Sequence, residues 1–147
     1  MDPPTLRNVL QGSSSGSYSL ENLRIFMLQN HCLELLNFLQ EAEGYKESYY
    51  AVFVQLGPIT HHSLQRPEIR ELVILWRHLA LTYIFRGSSQ EIIITDTERE
   101  RFSAMSSGLF PPPPYILNST VERIYQVLAN TIFPAFLYRQ SEGTDSG

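Results

Sequence analysis

Apolar residues recur at intervals of three and four along most of this chain, and that spacing commits it to helices. In the stretch from Ser19 to Lys46 they fall at Leu20, Leu23, Phe26 and Met27, then at Leu35, Leu36, Phe38 and Leu39. Each set lines one face of a helix with 3.6 residues per turn. The two sets are separated at Gln29–Asn30–His31, where a short polar turn carries His31, Cys32 and Glu34. The second helix continues through Tyr45, Tyr49, Phe53 and Leu56, and Gly57-Pro58 stops it.

The remaining segments follow the same rule. Thr5–Leu10 predicts one or two helical turns, and the Ser/Gly run over residues 12–17 a flexible joint that does not pack on its own. Ser19 is placed as a helix N-cap. Pro67 suits a first helical position, with Glu68 and Glu71 near the positive end of the helix dipole. The helix it opens carries Ile69, Leu72, Val73, Trp76, Leu79, Ala80 and Tyr83 on one face, with Ile74, Leu75, Leu81 and Phe85 elsewhere. Apolar over so much of its circumference, it is expected to be the central and most buried helix.

Ile92-Ile93-Ile94 has strand composition, but no second segment offers a partner, so an extended connection is expected. Thr97 with Glu100, and Ser119 with Glu122, match capping boxes. The four prolines Pro111–Pro114 are read as a rigid spacer between helices. Pro134 is expected to break the last helix, and residues 140–147 to form a polar disordered tail. The sum is an all-α domain of about seven to nine helices over residues 5–139.

Composition narrows the function. The 147 residues suit one domain. Eleven Lys and Arg against fifteen Asp and Glu give a net charge of -4, with the basic residues scattered, which argues against a nucleic-acid or anionic-membrane surface. Cys32 is the single cysteine, so no internal disulfide forms and a reducing compartment fits. The N-terminus has no signal-peptide pattern, and no apolar run reaches the roughly 18 residues of a membrane helix. A cytoplasmic location is expected.

Catalytic chemistry finds no constellation. Cys32 beside His31 could be a nucleophile and base, but adjacent helical residues point in different directions, and a small buried apolar cysteine is the reading preferred. His61-His62 lacks acidic or sulfur companions for a metal and reads as a solvated loop. The pairs Glu41/Glu43, Glu68/Glu71 and Glu98/Glu100 fit helix surfaces. No phosphate-cradling glycine motif is present. No metal, no cofactor and no active site of the chain's own are expected.

Three blocks, in order, carry a resemblance. Residues 20–46, LENLRIFMLQNHCLELLNFLQEAEGYK, resemble the early part of an RGS domain, a regulator of heterotrimeric G-protein signalling, with Glu34, Leu36, Phe38 and Tyr45 on its pattern. Tyr83-Ile84-Phe85 with Glu91-Ile92-Ile93-Ile94 is similar to the family's helix end and following loop. Ile124-Tyr125 and Phe133-Pro134-Ala135-Phe136-Leu137 are similar to its closing pattern. The segment at residues 29–34 and the proline-rich loop look particularly like fungal members.

The resemblance implies a two-lobed helical fold, a lobe of both termini plus a four-helix bundle. It implies a partner, the Gα subunit, gripped by three regions at one end of the bundle. Hydrolysis of GTP on Gα is then accelerated by holding its machinery in place, attenuating the signal, with no arginine finger supplied. The contact positions it assigns are Glu34 and Leu35; Gln90, Glu91 and Ile93; and Val127, Asn130 and Thr131. Leu35 and Ile93 stand where the family has asparagines, and Thr131 and Ala135 stand for its aspartate and bracing arginine. The alternative is a non-catalytic adaptor of the same fold. Either would be cytoplasmic, and peripheral at the membrane only through Gα.

Overall fold

The computed structural model describes residues 3–145. Their order is α1 (Leu6–Leu10), α2 (Leu20–Gln29), α3 (Leu33–Leu56), α4 (Pro67–Leu79), α5 (Asp96–Ser106), α6 (Asn118–Val127) and α7 (Phe133–Asp145). No strand occurs among the described residues. Wider π-helical turns follow α4 at Ala80–Ile84 and join α6 to α7 at Leu128–Ile132. Counted as continuous runs there are six helices among the described residues, fewer than the seven to nine expected.

The missing break is at Pro134. A proline inside an α-helix collides with the carbonyl four residues back and donates no hydrogen bond. Here the π turn directly precedes it, and Phe133 N–H bonds the Leu128 carbonyl five residues back. The widened turn makes room, so the helix passes through. It also continues to Asp145, so residues 140–145 are helical where a disordered tail was expected. Adding a residue to an existing helix is far easier than starting one. Gly147 and Ser146, the rest of that expected tail, lie outside the described residues.

Two compact units make up the chain: one from its two ends, up to Leu36 and from Glu122 onward, the other from Asn37–Val121. In the terminal unit Leu6, Val9, Leu23, Met27, Leu128, Phe133 and Phe136 are buried. The Phe136 ring lies 5.7 Å from that of Phe26 and 6.4 Å from that of Tyr18. The joint is more ordered than its composition suggests. Gly16–Tyr18 forms one 3₁₀ turn. The Asn22 side chain donates to the Gly16 carbonyl, and Gln140 donates to that of Ser17 at 2.5 Å.

Helix ends follow local chemistry where the sequence is unambiguous. Ser19 Oγ accepts from Asn22 N–H, capping α2. At its other end His31 adopts φ 58, a left-handed conformation usually left to glycine. His31 N–H bonds Leu28 O and Cys32 N–H bonds Met27 O, the paired 5→2 and 6→1 bonds of a Schellman ending. Gly57 at φ 77 ends α3.

The central unit holds most of α3, all of α4 and α5, and the start of α6. Trp76 sits among Tyr45 and Phe102, its ring 5.7 and 6.0 Å from theirs, and its Nε1 donates to Ser106 Oγ at 2.9 Å. Phe38 and Tyr83 pack edge to face at 5.7 Å. Burial on α4 is one-sided: Ile69, Leu72, Trp76 and Leu79 are enclosed, while Ile74 is 64% exposed, and Leu81, in the π turn that follows, is 61% exposed. Residues on opposite sides of a helix cannot share one face, and only one side of α4 is covered.

Two capping expectations shift. Helix α5 opens with a box of Thr95 and Glu98, two residues before the one expected at Thr97 and Glu100. Ser119 caps nothing, since a 3₁₀ turn at Pro114–Leu117 runs straight into α6. Its neighbour Thr120 is fully buried and donates its hydroxyl to Glu98. The sequence at residues 95–100 allows two overlapping boxes, and the second carboxylate oxygen of Glu98, taken by Thr120, favours the first. The prolines pack inward. Pro111, Pro112 and Pro114 are buried, and the Pro112 carbonyl accepts from the Tyr45 hydroxyl.

Candidate functional site

The central unit holds one set of assigned positions, on the segment between the π turn after α4 and the start of α5. Its backbone is hung on that turn. Gln90 N–H bonds the Thr82 carbonyl and Ile92 N–H bonds that of Tyr83. With Ile92 2% and Ile94 9% exposed, the extended residue between them must face outward. Ile93 is accordingly 81% exposed.

Side chains fix the segment on both flanks. Asn37, on the second turn of α3, donates to Gln90 Oε1 at 2.7 Å. On the other side Arg99 Nη1, from α5, donates to Glu91 Oε1 at 2.9 Å and to the Ile84 carbonyl at 2.6 Å. The Glu91 carboxylate also accepts from Gly87 N–H at 3.4 Å. Arg86 pairs with Asp96 at 2.6 Å across the same connection, with both side chains well exposed.

Glu91 is therefore engaged within its own unit, as the acceptor of Arg99. This bond runs between residues eight apart through an irregular loop, so no periodicity announces it. Asn37 and Gln90 are 53 residues apart. Arg99 and Asn37 are the residues that sequence reasoning missed.

In the terminal unit, Glu34 and Leu35 lie on the first turn of α3 and are half-buried. Burial, then the Glu34 charge, pushes the Cys32 thiol above its ordinary range, and Cys32 Sγ lies 3.6 Å from the Met27 carbonyl. A thiol so disposed is a poor nucleophile at neutral pH. Val127, Asn130 and Thr131 are all exposed at the junction of α6 and α7. Asn130 donates to Gln126, which donates to the carboxylate of Glu122, a ladder of side chains at four-residue steps. Asn130 and Thr131 sit in the π turn itself. Both π turns thus adjoin or contain assigned contact positions, a placement common for this rare geometry.

His61 and His62 are exposed, and the His61 ring lies 5.1 Å from that of Phe110. Among the described residues no three His, Cys, Asp or Glu side chains converge as a metal site would require. No described helix is long and apolar enough to cross a membrane.

Against known proteins, no curated protein matches the chain. The family profile of the Regulator of G protein signaling domain matches residues 13–141. Domains of this family regulate G-protein signalling, generally by binding Gα subunits, and have no catalytic site of their own. The match spans most of the chain and agrees with its helices, so the chain belongs to the regulator of G-protein signalling domain family.

Proposed function

We propose that this chain binds a Gα subunit and accelerates its GTP hydrolysis, shortening the signal, by stabilising the transition-state shape of the Gα machinery. Its contribution is binding energy expressed more strongly in the transition state than in the ground state, since it inserts no group into the chemistry. On this reading it works in the cytoplasm and meets the membrane through Gα.

The observation that carries the reading is Ile93, 81% exposed on a braced loop at a position assigned to partner contact. An aliphatic side chain held out in water gains by being covered. Full burial of an isoleucine is worth roughly 1.5–3 kcal/mol. Glu34, Leu35, Gln90, Val127, Asn130 and Thr131 remain contact positions under this proposal. Glu91, its side chain 36% exposed, also remains a contact position and braces the loop as well by accepting from Arg99.

Single-turnover GTP hydrolysis by a Gα subunit, with and without the chain, tests the proposal. Acceleration that saturates with concentration is expected. No acceleration up to tens of micromolar sinks the activating reading.

A second reading, a non-catalytic adaptor of the same fold, is favoured by the aliphatic side chains of Leu35 and Ile93 and the neutral Thr131. Leu35 and Ile93 offer no side-chain hydrogen bond, and Thr131 brings no charge of its own to one. Pull-downs with the GDP, GTP-analogue and transition-state-mimic forms separate the two. Preference for the mimic supports activation, whereas equal or absent capture across the three supports the adaptor.

A further inference from the structure

Arg99 presents little of itself to a partner, since only 16% of its side chain is exposed. What it does is grip. One nitrogen, Nη1, joins the end of the π turn, at the Ile84 carbonyl, to the loop carboxylate of Glu91. Its Nε is buried without an acceptor. With an apolar side chain in place of Arg99, the Ile84 carbonyl and the Glu91 carboxylate would both lose this donor.

The grip lies two residues before Ile93, and the Asn37–Gln90 bond lies three before it. Burial of Ile92 and Ile94 completes the restraint. We propose that Arg99 is a positioning residue for partner binding: it acts through Glu91 to hold the loop in the one conformation that presents Ile93. Ile93 is then a contact that the Arg99–Glu91 pair braces. This inference rests on the proposed Gα-binding function and adds the device on which the affinity depends. Presenting a side chain already ordered avoids the entropy of fixing it during association.

The test uses the full chain and its Arg99→Ala, Arg99→Lys, Ile93→Ala and Arg99→Ala/Ile93→Ala variants. Amide exchange at Ile92, Ile93 and Ile94 is measured on the free proteins, and dissociation constant and maximal acceleration are measured with Gα. Arg99→Ala is expected to speed exchange in this loop selectively and to weaken binding on the order of tenfold, an amount usual for loss of an interface anchor. Maximal acceleration at saturation stays close to wild type, because only the population of the binding conformation changes. Arg99→Lys, which keeps a cation beside Glu91, recovers most of the affinity. In the double variant, Ile93→Ala costs much less than it does alone.

Additive losses in the double variant, or unchanged loop exchange in Arg99→Ala, overturn the inference. A wild-type chain that binds no Gα refutes the proposed function instead, and the exchange measurement still decides whether Arg99 orders the loop.

Discussion

The hydroxyl of Tyr45, in the middle of α3, donates at 2.5 Å to the carbonyl oxygen of Pro112, 67 residues further along the chain. It fastens the proline run to the core of the central unit beside Trp76. Both partners are buried, so the bond has no water to replace it. Tyr45→Phe keeps the ring and leaves the carbonyl unmatched, and is expected to cost about 1–3 kcal/mol in urea unfolding. Burial, and then the neighbouring Tyr49, pushes the Tyr45 phenol above its ordinary range. A raised folded-state value means the native state holds the proton more tightly. The resulting stability is complete below the ordinary tyrosine pKa of about 10 and is lost as pH rises above it. Wild-type melting temperature should fall above pH 10, and more steeply than that of Tyr45→Phe.

The turn between α2 and α3 stores backbone strain at His31. A left-handed conformation costs a non-glycine residue roughly 1–2 kcal/mol, partly offset in a glycine variant by the freer unfolded chain. His31→Gly is expected to stabilise by about 0.5–1 kcal/mol, seen as a rise of a few degrees in thermal melting. His31→Val should lower it, because branching at Cβ makes this conformation worse.

Gly44 offers the converse case. It lies inside α3 with helical geometry, and a Cβ built on it meets nothing within 4 Å. Gly44→Ala should therefore stabilise by about 0.8–1 kcal/mol, from helix propensity alone. Guanidinium unfolding with an unchanged denaturant slope checks it.

Thr120 and Glu98 test the buried polar link between α6 and α5. Thr120→Val preserves shape and volume while removing the hydroxyl that Glu98 accepts. A hydrogen bond to a charged group is worth about 1.5–3 kcal/mol, and a loss of that size is expected in urea unfolding. Thr120→Ser should lose less, since it keeps the donor.

Ile93→Asn asks whether the loop can do more than bind. The asparagine restores the residue type that the resemblance assigns to this place, with a donor and an acceptor. Under the proposed function it should weaken binding by removing apolar area and raise maximal acceleration of GTP hydrolysis. Stopped-flow single-turnover assays at saturating variant separate the two effects. A lower affinity with no gain in rate would mean that positions other than residue 93 set the acceleration.

Helical class, the α2–α3 pair, the Ser19 cap, the Gly57 stop and Pro67 at the first turn of α4 are all legible in the sequence. Each depends on residues within one or two helical turns, where spacing and local hydrogen bonding leave few options. The exposed Ile93 follows almost as simply, from alternation in an extended segment. Other features were degenerate in sequence. The run at residues 95–100 holds two equally good capping boxes, and only the distant Thr120 separates them. Pro134 reads as a breaker until a π turn makes room for it. On α4, Ile74 and Leu72 are equally apolar, and only the covering helices decide which is buried. The bond from Arg99 to Glu91 and that from Asn37 to Gln90 belong to the same class. Local chemistry determined where helices begin and end. The choice of which side chains are covered, and which loop residue is held out, was left to tertiary contacts, because burial and long-range hydrogen bonds depend on neighbours that no local window contains.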